Sequence, residues 1–186
     1  MKKFLQFAGI ISLALAAVAL VLMMVTPAAV GTTKLLGATT TTNLNGINAI
    51  FGKSSDLTAA EILWFGNKDG KIALSVTSLI GWILLAGGVI IVLLGVLLPL
   101  LKVNALQKFA GLLNLIAVVA FVLAGVFMFL VVPTIYGANG REVESGASIG
   151  AGWVIGGILV IAAGVFAILP MAADFMAKGK KGKKRK

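Results

Sequence analysis

The residues that could do chemistry in this sequence are few, and the two most versatile kinds are missing. Neither histidine nor cysteine occurs. That leaves no imidazole or thiolate for a haem, an iron–sulfur cluster or a zinc site, and no Ser-His or Cys-His nucleophile. Six carboxylates remain, Asp56, Glu61, Asp69, Glu142, Glu144 and Asp174. None lies in an apolar stretch, where ion and proton transporters usually keep an ionisable group at considerable cost. The polar groups that do fall in such stretches are Ser12, Ser75, Thr77, Ser78 and Asn114, and backbone capping or helix–helix hydrogen bonding is their plainer use. The sequence therefore predicts no enzyme, no catalytic residue, no cofactor and no metal site.

Two further groups could make contacts. Lys178, Lys180, Lys181, Lys183, Lys184, Arg185 and Lys186 form a cationic tail. Directly after a membrane helix, such charges attract anionic headgroups at about 1 kcal/mol each; alternatively they are a plain stop-transfer anchor. Trp64 and Phe65 are adjacent aromatics, read as an anchor at the membrane–water boundary or as a partner contact.

The elements that must position these groups are long and apolar. Of the 186 residues 60% are hydrophobic and only 12% charged, about half the charge of a soluble domain. Four blocks carry no charge at all: Phe4–Val30, Ile72–Leu101, Phe109–Val132 and Ala147–Met171. Each is long enough to cross a bilayer as a helix. Pro27, Pro99, Pro133 and Pro170 lie near the block ends and are expected to stop the helices there. The first block exceeds the core of a usual signal peptide and is read as an uncleaved helix.

The expected organisation is a transmembrane domain over residues 1–177, with outer connections at 31–71 and 133–146, and a basic tail at 178–186. The expected fold class is an all-α membrane protein: a left-handed bundle of four transmembrane helices with a small extracellular loop region. Charge placement sets the topology. Lys2, Lys3, Lys102, Lys108 and the tail give eleven basic residues on one side against one acid, Asp174. The other side holds five of each. The positive-inside rule puts both termini in the cytoplasm of a cell with this chain in its plasma membrane, and it explains the net charge of +10 without nucleic acid.

The helices read as a duplicated two-helix hairpin. Leu5-Gln6-Phe7-Ala8-Gly9 and Leu106-Gln107-Lys108-Phe109-Ala110-Gly111 open the first and third. Gly81-Trp82 to Leu98-Pro99 and Gly152-Trp153 to Leu169-Pro170 span the second and fourth at one spacing. Gly81, Gly88 and Gly95 recur every seventh residue, as do Gly150, Gly157 and Gly164, with Gly152 and Gly156 beside them. Such stripes are expected to pack helices by close backbone approach on a left-handed crossing.

The first outer connection leaves two options open. Asp69-Gly70 between apolar runs reads as a β-hairpin turn, whereas Thr58 to Glu61 reads as a helix capping box with Gly66 as the stop.

Three short stretches resemble the claudin and peripheral-myelin-protein superfamily: Leu5 to Ile10, Val131 to Tyr136, and Gly146 to Trp153. The layout of four helices, a long first outer loop and a charged tail is similar as well. The family's outer-loop tryptophan–cysteine signature is not present, and no disulfide can form. The resemblance implies a fold and a structural, membrane-organising role through lateral helix and outer-loop contacts. The alternative is an accessory subunit of a larger membrane complex such as a transporter. The expected partners are anionic lipids on the cytoplasmic side and either further copies of the chain or another membrane protein.

Overall fold

Proline ends the first helix. In the computed structural model, which describes residues 2–35, 38–100 and 110–183, α1 runs over Lys2–Val25. Pro27 cannot donate to a further turn, and Thr26 closes the helix through its N–H and its hydroxyl, both donated to the Leu22 carbonyl. The chain then turns into β1, Pro27–Leu35, and returns antiparallel as β2, Ala38–Asn45. The span expected over Phe4–Val30 is therefore too long. Ala28 and Ala29 are wholly buried, but in a strand, and small apolar residues buried in a strand look the same in sequence as those in a helix.

Two short helices follow, α2 over Gly46–Phe51 and α3 over Ala59–Phe65. For α3 the helical option prevails. The Thr58 hydroxyl accepts from the Glu61 N–H, the Glu61 carboxylate accepts from the Thr58 N–H, and Gly66 closes the other end. Asp69-Gly70 makes a turn, with Gly70 at φ 69° and the Asn67 side chain accepting from the Asp69 and Lys71 N–H groups. It joins no strands. The hairpin lies at β1–β2 instead, where threonines favour extended backbone.

The second long helix, α4, spans Val76–Leu100. It starts later than expected because Ser75 caps it, accepting from the Ser78 N–H at 3.3 Å, while Ile72 is held in a β-bridge with Lys53. The third, α5, is Ala110–Phe129, and after Leu130 the chain re-enters a helix, α6, over Val131–Ala138. Pro133 sits in the first turn of α6, where its missing donor costs nothing. The three residues Ala147–Ile149 form β3, and α7 is the long Ala151–Lys183 helix. Here too the sequence reading needs correction: Ala147 opens a strand, and α7 continues through Pro170 rather than stopping at it. The connection holding Lys102 and Lys108, and Lys184, Arg185 and Lys186 of the tail, lie outside the described residues.

The fold is thus not purely helical. β3 pairs with β1 on the side opposite β2, giving a three-stranded antiparallel sheet ordered β2-β1-β3. Four helices are long and apolar enough to cross a membrane: Phe7–Val25, Val76–Leu97, Gly111–Phe129 and Ala151–Leu169. They form a ring in which α1 packs on α7, α7 on α5 and α5 on α4, while α1 and α4 meet least extensively. The sheet, α2, α3 and α6 all sit at one end of this ring.

Candidate functional site

The core of the ring is held by aromatic rings set against glycines. Phe121, wholly buried at its centre, faces both stripes. A methyl group on Gly88 would lie 2.5 Å from its Cε1, and one on Gly164 3.6 Å from its Cβ. Gly81 faces Phe127 at 3.0 Å, Gly95 faces the Asn114 Oδ1 at 3.1 Å, Gly156 faces Met128 at 2.6 Å and Gly157 faces Phe129 at 2.9 Å, measured in the same way. At these positions the nearest partner is a ring or side chain, so there the stripes act as sockets; Gly150 differs, because a methyl there would run into the Pro27 backbone carbonyl. Close backbone approach does occur at Gly125, where a methyl would meet the Gly157 carbonyl at 3.3 Å; the spacing pattern did not include that residue. Ser12 adds one polar tie, its hydroxyl donating to the Ala163 carbonyl at 2.7 Å between α1 and α7.

At the sheet end the packing is closer. The Trp153 indole N–H donates to the Met23 carbonyl at 3.0 Å. The Gly150 N–H donates to the Ala28 carbonyl, and the Gly46 N–H to the Thr26 carbonyl. Side chains at Gly150, Gly152 or Gly46 would collide with Pro27, Thr26 and Met23 respectively. The start of α7 is thereby fixed on the point where α1 unwinds into β1.

The charged groups of this end are held in small sets. Arg141 donates from Nη1 to the Leu63 carbonyl at 2.6 Å and to the Gly66 carbonyl at 3.3 Å, and from Nη2 to Glu144 at 2.8 Å. Its guanidinium thus caps the C-terminus of α3, where a cation complements the exposed carbonyls. It also lies 5.8 Å from the Tyr136 ring centroid, and Tyr136 meets Phe65 edge-on at 6.3 Å. Burial pushes the Tyr136 hydroxyl up to about 12, with Arg141 opposing and Glu144 adding to the shift. Lys53 pairs with Glu61 at 3.3 Å. Burial pushes the Glu61 carboxyl up, but the Thr58 N–H and hydroxyl together with Lys53 hold it below its usual value. Asn139, buried, accepts from the Ala73 N–H and donates to the Ile135 carbonyl.

Phe65 does not occupy the position expected of it, whereas Trp64 keeps part of its surface open at the sheet end. Phe65 is 1% exposed, so it is core and reaches neither lipid nor partner. Trp64 is half-buried with its ring over Gly31 and Gly146, covering the sheet. Among the described residues, no group of three His, Cys, Asp or Glu could hold a metal ion. Of the tail residues, Lys178, Lys180, Lys181 and Lys183 lie on the backbone of α7.

The sheet end is tied together by its own side chains. Its ion pairs and hydrogen bonds tie loop to loop, and no arrangement of base and nucleophile is present among its described residues. No family model matches the chain, and no curated protein matches it. The sequence missed Arg141, Asn139 and the Trp153–Met23 pair; only the Gly152-Trp153 repeat singled out one of them, as a spacing marker.

Proposed function

We propose that this chain is a non-enzymatic, multi-pass protein of the plasma membrane that organises its surroundings through lateral contacts of its helices and through its sheet end. The observation that carries this reading is the contrast between the faces of the four spans. Their outward residues are large and apolar, as at Val21, Ile83, Val119 and Ile158, each more than half exposed. Within the spans there is no Asp, Glu, Lys or Arg. Such a surface is tolerated in lipid and is an aggregation hazard in water.

Topology follows from charge. The side with eleven basic residues and one acid takes the cytoplasm, with both termini, and the sheet end faces outward. The basic tail then meets the anionic inner leaflet. A claudin-like architecture is supported by the four spans and the long first connection, and a left-handed crossing by the seven-residue glycine spacing. In the ring α1 lies opposite α5 and α4 opposite α7, the placement a duplicated two-helix hairpin requires.

Purification in mild detergent tests the role. Self-association without other chains supports membrane organisation by copies of this protein. A stoichiometric foreign protein makes it an accessory subunit of a larger complex instead. Ion or solute flux through proteoliposomes of the pure chain would overturn both.

A further inference from the structure

The short helix α2 has two faces and an unusual position. Gly46, Ala49 and Ile50 are buried on one side. On the other, Ile47 and Phe51 are 46% and 45% exposed, four residues apart and so one above the other on a helix. No charged residue occurs from Leu35 to Gly52. Both ends of α2 are fixed at the level of the apolar spans. Its first residue, Gly46, donates to the Thr26 carbonyl at 2.9 Å and packs against the Met23 carbonyl, inside the first span. Its last residue, Phe51, meets the Trp82 ring edge-on at 5.7 Å. Trp82 is six residues into α4, about 9 Å along the helix from Val76. The helix α2 therefore touches both α1 and α4, at the seam where those two spans meet least.

The flanking surface is apolar as well. Val25 at the end of α1 and Val76 and Ile80 at the start of α4 are exposed, so Ile47 and Phe51 extend the belt formed by the spans. We infer that α2 is an in-plane membrane anchor, seating Ile47 and Phe51 in the headgroup–acyl boundary over the α1–α4 seam. The occupant of this face is lipid. An uncharged helix with an apolar outward pair, held a few ångströms below the ends of spanning helices, lies where interfacial helices bury their apolar side. Phe51 supplies an aromatic at that boundary, the place expected for Trp64 and Phe65 in the sequence. This inference rests on the membrane-spanning reading of the four helices.

Spin labelling separates the two. The chain has no cysteine, so single cysteines at Ile47, Phe51, Thr40 and Val119 of the full chain each carry one nitroxide. The protein is reconstituted in phosphatidylcholine–phosphatidylglycerol vesicles, and collision with oxygen is compared with collision with a water-soluble nickel chelate. Positions 47 and 51 are expected to favour oxygen, with a depth between the mid-span position 119 and the water-exposed position 40. Nickel-favoured collisions at 47 and 51, with 119 still in lipid, would overturn the anchor and leave the spans standing. Low collision with both reagents at 47 and 51 would overturn it in favour of a covering protein. Nickel-favoured collisions at 119 would overturn the spanning reading itself.

Discussion

The Trp153 indole donates to the Met23 carbonyl at 3.0 Å, and this bond joins the first turn of α7 to the last turn of α1. The last carbonyls of a helix have no partner within it, so an indole from another helix acts as a cap. The equivalent tryptophan in the repeat, Trp82, has its indole nitrogen buried with no protein partner.

Replacing this indole tests the cap. Trp153→Phe keeps a ring but leaves the Met23 carbonyl buried and unpaired, a loss of about 1–3 kcal/mol. Trp153→Ala also empties a wholly buried site and is expected to cost about 3–5 kcal/mol. Thermal unfolding in detergent reads both; a Phe variant as stable as the parent means the bond contributes nothing.

The glycine sockets give a second test. Gly88→Leu must displace the Phe121 ring and Gly157→Leu that of Phe129, and overpacking of this kind costs about 1–3 kcal/mol or more. Leu94→Ala, on an exposed face, is expected to change stability much less. Equal thermal stability of the glycine variants and the parent would mean that the stripes do not pack the bundle.

The four long helices were legible because four uncharged blocks of about 20 residues admit few other structures. The capping box at Thr58 was legible because both partners lie three residues apart. The sheet was not. Its strands borrow Pro27 to Val30 from one apolar block and Ala147 to Ile149 from another, and pairing of residues more than a hundred apart leaves no local pattern. Phe65 was misplaced for a similar reason: its burial depends on Tyr136, on a different connection. Ile47 and Phe51 fall in a helix of six residues, too short for periodicity to separate from a loop.

The Glu61 carboxyl predicts a pH dependence. Its value in the fold lies below that of the free group. The stability it contributes is therefore present above the ordinary carboxylate value and is lost as pH falls toward the lower, folded one. At neutral pH the parent should unfold at a higher temperature than Glu61→Gln, and the gap should close in acid below pH about 4. A gap unchanged between pH 7 and pH 3 contradicts the assignment.

The tail gives a prediction in lipid. Deleting residues 178–186 removes seven cations and should leave folding intact while reducing co-purified anionic lipid. The effect should fade with salt, since screening shortens from about 10 Å at 0.1 M to about 3 Å at 1 M. Mass spectrometry of bound lipid reads this. Equal recovery at every salt concentration leaves the tail as a topology signal alone.

Sidedness is the most direct measurement of all. Thr40 lies exposed in β2 at the sheet end, whereas Lys181 lies near the far end of α7, beyond the fourth span. With single cysteines at these two positions, an impermeant thiol reagent applied to intact cells should modify position 40 and spare position 181 until the membrane is opened. Modification of position 181 on intact cells would contradict a four-span chain with its sheet end outside and its basic tail in the cytoplasm.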